Sequence, residues 1–253
     1  MQHCHMTANA LGVRVARPLG YHSALRTVWQ EELSGTPPTV MMETGNYAAP
    51  MAAIGHCLAK LHAARLPIQK TISRDARLAD AGKKARKLAQ LLPYLADDLE
   101  AIIAQAQAGL PSLPAAQFSV IHGDVHFGQF LITPNNALAL FDFDEWSLGD
   151  PAQDLADLIV DPHVSKFARD KTEMNTALPP GVAQVLIVSY RQHAASPVSD
   201  AAIAWHARIQ LINKAYRAAI QLEPHWREKV PALLALARSG IDLSWNAQKE
   251  MTP

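Results

Sequence analysis

Two things are scarce in this chain of 253 residues: cysteine and net charge. The two thiols, Cys4 and Cys57, give no disulfide framework and fit a reducing compartment. Lys plus Arg total 23 and Asp plus Glu total 23, so the formal charge is zero. A nucleic-acid binder needs a basic footprint, and the composition offers none. Lys83, Lys84, Arg86 and Lys87 do cluster, but in a charge-rich helical stretch that reads as a solvated face. Long apolar runs are also missing. None approaches the roughly 20 residues that a bilayer-crossing helix needs. The opening MQHCHMTANALGV lacks the apolar region of a signal peptide. There is no internal repeat and no low-complexity tract. These absences argue against nucleic-acid and membrane partners and lead to the expectation of a cytoplasmic protein.

What is present is apolar material in regular patterns. Hydrophobic residues make up 49% of the chain, ample for one large core or two small lobes. Residues 1–12 read as the tail of a helix. Val13–His22 and Leu25–Leu33 read as two strands joined by a turn near Ser23. Ser34-Gly35-Thr36-Pro37-Pro38 breaks that pattern as a linker would. From Ala48 the period becomes helical: Met51, Ile54, Leu58 and Leu61 place a helix that ends near Arg65. Residues 75–92 form a second helical stretch, and Pro93 opens a third that ends near Gly109-Leu110-Pro111. Phe118–Ile121, Gln129–Thr133 and Ala137–Phe141 are short apolar runs between polar turns and read as strands. Helices resume after Pro151. Trp205, Ile209, Ile212, Tyr216 and Ala219 mark a long one, and a final helix spans roughly 225–247.

The chemistry is concentrated in Ile121-His122-Gly123-Asp124-Val125-His126-Phe127-Gly128-Gln129-Phe130-Leu131. Phe141-Asp142-Phe143-Asp144 follows, and then Gly149-Asp150-Pro151-Ala152-Gln153-Asp154-Leu155-Ala156. A carboxylate in a loop, Asp124, precedes an amide, Gln129, by five residues. A second carboxylate, Asp142, ends a later strand. Phosphoryl transfer needs a carboxylate that takes the proton of the attacking hydroxyl, and oxygen ligands that hold Mg²⁺ on the phosphates. Mg²⁺ is hard and prefers oxygen, which a carboxylate and an amide carbonyl supply. Kinase catalytic loops use the same five-residue interval between base and amide.

These three segments resemble the catalytic and metal-binding segments of the aminoglycoside phosphotransferase and choline kinase family. Leu61-His62-Ala63 closing a helix and Trp29-Gln30-Glu31-Glu32-Leu33 as strand and hinge extend the likeness, which covers roughly residues 13–220. The resemblance implies an α+β, protein-kinase-like fold: a helical C lobe over 47–253 with short catalytic strands, and an incomplete N-terminal β lobe and hinge over 1–46. It implies transfer of the γ-phosphate of ATP, or of another nucleoside triphosphate, to a hydroxyl of a small molecule, with Mg²⁺. Asp124 then matches the catalytic base, and Gln129 and Asp142 match the metal ligands. Asp154 matches a brace of the catalytic loop, and His122 the residue packed beneath the base. Glu31, Glu32 and Leu33 match the hinge that meets the nucleotide base.

Two departures from the family pattern stand out. Gln129 occupies a position where the family most often has Asn, although maltokinase-like branches carry Gly-Gln. The phosphate-covering hairpin, the strand with an ATP-binding Lys and the helix with its partner Glu are not recognisable, as in a truncated gene product or a misassigned start. A catalytically impaired kinase-like fragment, or binding module, is therefore the alternative reading. A metal-dependent phosphoesterase is a distant third: Gly123-Asp124-Val125-His126 looks like a metal box, but the further Asn and His boxes of that class do not follow. His126 reads as structural, Asp144 and Glu145 as solvated turn residues, and His62 as a packed helix end. Arg208, Lys214 and Arg217 read as an exposed helix face rather than a site for an anionic substrate.

Overall fold

The computed structural model describes residues 12–43, 45–135, 137–165, 181–241 and 243. The expected helix tail over residues 1–11 and the stretch 244–247 of the expected last helix lie outside them, and within them that helix stops at Ser239, capped by Gly240 at φ +85°, rather than running on through 243. The chain begins as an antiparallel hairpin of β1 (Pro18–His22) and β2 (Thr27–Gln30), closed by a turn in which Arg26 takes φ +49°. Both strands are shorter than the sequence pattern predicts. Residues 13–16 leave the hairpin because they belong to the main body. The Arg14 carbonyl accepts the Leu140 amide at 2.9 Å, and Val13 and Val15 are buried in the common core.

Past β2 the chain runs alongside residues 130–132. Thr36 and Ile132 exchange both backbone hydrogen bonds at 2.8 Å. A Cβ on Gly35 would lie 2.7 Å from the Ile132 carbonyl oxygen, so glycine permits this approach. Pro38 then opens a short helix, α1 (Pro38–Glu43), where a linker was expected. Proline fits there because a first-turn N–H has no helical partner to lose.

The rest is largely helical: α2 (Ala48–His62), α3 (Arg74–Leu91), α4 (Ala96–Gly109), α5 (Ala152–Ser165), α6 (Val182–His193), α7 (Asp200–Ile220) and α8 (Trp226–Ser239). Each forms for readable reasons. In α2 the periodic Met51, Ile54, Leu58 and Leu61 are all buried, each worth about 1.5–3 kcal/mol relative to exposure. Ser73 and Ser199 cap α3 and α7, their hydroxyls accepting the amides of Ala76 and Ala202 at 3.1 Å. Helices α2 and α6 pack very closely. A Cβ on Gly55 would stand 2.5 Å from the Leu186 carbonyl oxygen.

Between α4 and α5 lie two small antiparallel ribbons. β3 (Ser119–Ile121) pairs with β6 (Ser147–Gly149), and β4 (Phe130–Ile132) with β5 (Leu138–Leu140). The sequence pattern gave β3, β4 and β5 but not β6. Ser-Leu-Gly carries no apolar alternation and is a strand only through its partners. Besides β3, it bonds residues 70–72, Ile72 N–H donating to the Leu148 carbonyl and Leu148 N–H to that of Lys70.

Candidate active site

The catalytic loop leaves β3 and is shaped by one carboxylate. Asp154, in the first turn of α5, is fully buried. Its Oδ2 accepts the His122 amide at 2.7 Å and His62 Nε2 at 3.0 Å, and its Oδ1 accepts the Gly123 amide at 3.0 Å. His62 Nδ1 in turn lies 2.9 Å from the Tyr190 hydroxyl of α6. Burial alone would raise the Asp154 pKa, but the His62 hydrogen bond and charge, the charge of His122 and the Gly123 amide outweigh it and hold the carboxyl low. Gln153 Nε2 donates to the Gly123 carbonyl at 2.9 Å. Gly123 itself sits at φ +90°, and a Cβ there would meet the Glu145 carbonyl oxygen at 2.4 Å.

This loop is tied to the end of β5. His122 is fully buried, and its Nε2 donates to the Phe141 carbonyl at 3.0 Å while its ring packs on Phe143. Asp142 follows immediately, exposed and at φ +67°. A non-glycine residue held there is uncommon and costs of order 1–3 kcal/mol, the kind of strain that collects at working sites. Gln129 Nε2 donates to Asp142 Oδ2 at 3.3 Å. Gln129 Oε1 meanwhile accepts the His126 amide at 3.1 Å. His126 accepts the Gly128 amide at Nδ1 and thereby caps the turn. Its role here is structural.

The residues fit a hard cation in one respect and resist it in another. Asp142 presents a carboxylate to open space. The Gln129 carbonyl could join it only if the side-chain amide turned and released His126; as folded, the amide nitrogen steadies Asp142. Among the described residues, no group of three or more His, Cys, Asp or Glu is placed to hold a metal. A Mg²⁺ ion at this point would therefore draw most of its ligands from phosphate oxygens and water, as that ion commonly does.

Asp124 lies half-exposed at the mouth of a cavity of about 540 Å³ lined by α3, α7 and the catalytic loop. Lys214 Nζ stands 3.9 Å from its Oδ1. The hinge residues lie apart from this group. The Glu31 side chain is engaged with Arg14 at 2.5 Å and with the Arg17 amide at 3.1 Å. The Arg17 amide is the main reason its carboxyl is held below the ordinary range. Glu32 and Leu33 continue toward Thr36 without regular structure.

Some residues here escaped the sequence reading. Asp150 Oδ2 binds Arg74 Nη2 at 2.5 Å and His206 Nε2 at 3.0 Å, while its Oδ1 accepts the Ala152 amide at 3.0 Å and starts α5. Burial opposes its ionisation, yet the His206 bond and charge, the Ala152 amide and Arg74 bring its pKa down to about 2. Of the three α7 cations read as one solvated face, Arg208 instead donates to the Ala237 carbonyl at 2.9 Å, and Lys214 and Arg217 line the cavity. Lys214 is only 13% exposed. Helical spacing alone would have separated Arg208 from the other two.

Loop, strand end and helical support together make a kinase-like fold. Solved structures share it at low sequence identity. A choline/ethanolamine kinase family protein from Mesorhizobium loti superimposes with a TM-score of 0.68 at 17% identity, over 93% of this chain and 77% of that one. Choline kinase LicA from Streptococcus pneumoniae gives 0.65 at 14%, over 94% and 79%. The gentamicin complex of APH(2")-IIa gives 0.65 at 14%, over 93% and 79%. In sequence, the phosphotransferase enzyme family matches residues 4–183, and the chain belongs to that family. It is also 32% identical over 156 residues to an uncharacterized protein of Deinococcus radiodurans, which covers 57% of this chain and 46% of that protein. The chain thus spans less than half the length of that relative. Among the described residues no helix is long and apolar enough to cross a membrane.

Proposed function

We propose that this phosphotransferase moves the γ-phosphate of ATP, or of a related nucleoside triphosphate, to a hydroxyl of a small molecule, with Asp124 as the general base. The observation that carries the reading is the Asp154 frame. It fixes the backbone on the N-terminal side of Asp124 with two hydrogen bonds, and through His122 it fixes the strand end that bears Asp142. A base held at a set distance from the phosphates is what this reaction asks of a protein, since positioning and electrostatics account for most of the catalysis. Bound Mg²⁺ would neutralise charge on the transferring phosphoryl group. Asp142 would hold that ion, with Gln129 either steadying Asp142 or turning to add its carbonyl. Asp124 would accept the hydroxyl proton. Glu31, Glu32 and Leu33 would offer backbone groups to the nucleotide base. Structural neighbours solved with AMP and with gentamicin support a nucleotide and a small hydroxylated acceptor as the two ligands.

The alternative reading is a catalytically impaired kinase-like fragment or binding module. The sequence contains no lysine before Lys60, so neither β1 nor β2 carries an ATP-binding lysine. Calorimetry with Mg²⁺ and ATP tests both readings. Weak, Mg²⁺-dependent binding that Asp142→Asn abolishes is expected. Asp124→Asn should leave that binding intact while lowering turnover by about 10²–10⁴-fold. Binding indifferent to Mg²⁺ and to Asp142→Asn would refute the site assignment. Binding with no turnover for any acceptor would establish the impaired enzyme.

A further inference from the structure

The cavity beside Asp124 has an unusual charge arrangement. Arg77 and Lys84 of α3 and Lys214 and Arg217 of α7 line it, against Asp80, Asp124 and Glu145. Most of these charges are already answered. Lys84 pairs with Asp80 at 2.7 Å, Glu145 with Lys70 at 2.6 Å, and Arg217 with Glu223 at 3.6 Å. Two cations remain. Lys214 faces Asp124 at 3.9 Å, beyond direct hydrogen-bonding distance. Arg77 Nε is buried without a hydrogen-bond partner among the described residues.

The carboxyl behind Arg77 does not answer it either. Both oxygens of Asp157 are buried without hydrogen-bond partners, so no hydrogen bond joins it to Arg77. Burial pushes the Asp157 pKa up to about 8, so the group keeps its proton at neutral pH. A buried N–H donor without an acceptor is costly unless a ligand supplies one. The planar guanidinium fork matches a carboxylate or a phosphate.

We propose that the acceptor is an anionic hydroxyl compound, whose carboxylate or phosphate is bound by Arg77 and Lys214 while its hydroxyl meets Asp124. The proposal rests on the reading of Asp124 as the base. It narrows the substrate class: cationic amino alcohols and aminoglycosides would meet unanswered positive charge in this cavity, whereas an oxyanion completes it. Polar groups for the remainder of such a molecule are at hand in Gln153, Gln210 and Asn213.

Two matched sets of compounds test it by thermal shift and calorimetry on the full chain. One set is gluconate, sorbitol, sorbitol 6-phosphate and glucamine. The other is glycerate, glycerol, glycerol 3-phosphate and 3-amino-1,2-propanediol. The acidic members should bind at least tenfold more tightly than the neutral and cationic ones. The comparison of carboxylate with phosphate members tells which oxyanion is preferred. Arg77→Met and Lys214→Met should each weaken that binding by roughly tenfold or more, the usual loss for a charge-assisted hydrogen bond. Arg77→Lys, which keeps the charge but not the fork, should weaken it less. Melting temperatures without ligand identify any variant that fails to fold, in which case the other two decide. Equal or tighter binding of the neutral or cationic members overturns the proposal. So does anion binding unchanged in the folded variants, or no anion binding in either set. Mg²⁺–ATP binding, measured in parallel with Asp142→Asn, reports on the phosphotransferase reading alone, so the two can fail separately.

Discussion

Replacing Asp157 by asparagine is expected to raise stability modestly in mild acid and more strongly in mild alkali. In the unfolded chain this carboxyl ionises near its ordinary value of 3.8, whereas burial holds it protonated in the fold up to about pH 8. Between those limits the native state binds more protons than the unfolded state. Each unit of rising pH then lowers stability by up to about 1.4 kcal/mol, and above pH 8 the loss is constant. The interval of about four units sets an upper bound near 5–6 kcal/mol. Asparagine has nearly the same shape and never ionises. Its unpaired amide costs about as much as the unpaired protonated carboxyl, so the two proteins should agree within about 1 kcal/mol only near pH 4, and by pH 5.5 the variant should already lead by about 2 kcal/mol. At pH 9 the variant should be the more stable by several kcal/mol. Urea unfolding followed by tryptophan fluorescence at both pH values measures the difference, and titrating groups remote from Asp157 cancel between the two proteins. A stability difference that is the same at pH 5.5 and pH 9 would refute the reasoning, because it would mean that Asp157 does not change ionisation over that range.

Other expectations follow from the same framework. Asp154→Asn should reduce turnover by about 10²-fold or more and lower the melting temperature, because an amide nitrogen replaces an acceptor for the His122 or Gly123 amide; kinetics beside thermal melts would show it, and an unchanged kcat would contradict it. His206, whose pKa burial pulls down to about 4, stays neutral in the fold while the unfolded ring charges below about 6.5. Stability should therefore fall between about pH 6.5 and 4, and His206→Gln should flatten that part of an unfolding profile. Gly123→Ala should keep the helical circular-dichroism spectrum yet lose most turnover. The new Cβ meets the Glu145 carbonyl oxygen at 2.4 Å, and φ +90° disfavours an L side chain.

What the sequence made legible was local, and what it hid was tertiary. The helical periods of α2 and α7 followed from spacing alone, and the α+β, kinase-like architecture from the resemblance that the motifs carry. Asp124, Gln129, Asp142 and Asp154 could be named because their motifs are contiguous and ordered. Gln129 shows the limit of that kind of reading. A motif gives the residue, but not that its carbonyl is already bonded to His126 and its amide to Asp142. Arg74, Asp150 and His206 come from three separate stretches, and no pattern in any of them announces the cluster. Lys214 read as part of an exposed helix face, and nothing in the sequence singled out Arg77. Only the packing of α3 against α7 shows that they face the same cavity. The hairpin strands were overextended in the sequence reading because β propensity does not say which partner a strand will find, and residues 13–16 find β5.

The close crossing of α2 over α6 at Gly55 has a reach beyond packing. Tyr190, on α6, steadies His62 at the end of α2, and His62 steadies Asp154. The separation of two helix axes therefore governs the shape of a loop that neither helix supplies. A methyl group at Gly55 would press on the Leu186 carbonyl and wedge the axes apart, and the chain of hydrogen bonds would transmit the displacement to the loop that carries Asp124. An unbiased screen for loss of activity should accordingly recover substitutions along this helical seam, in proteins that still fold and still carry every residue of the catalytic motifs. Such variants would mislead anyone who ranks importance by distance from the chemistry.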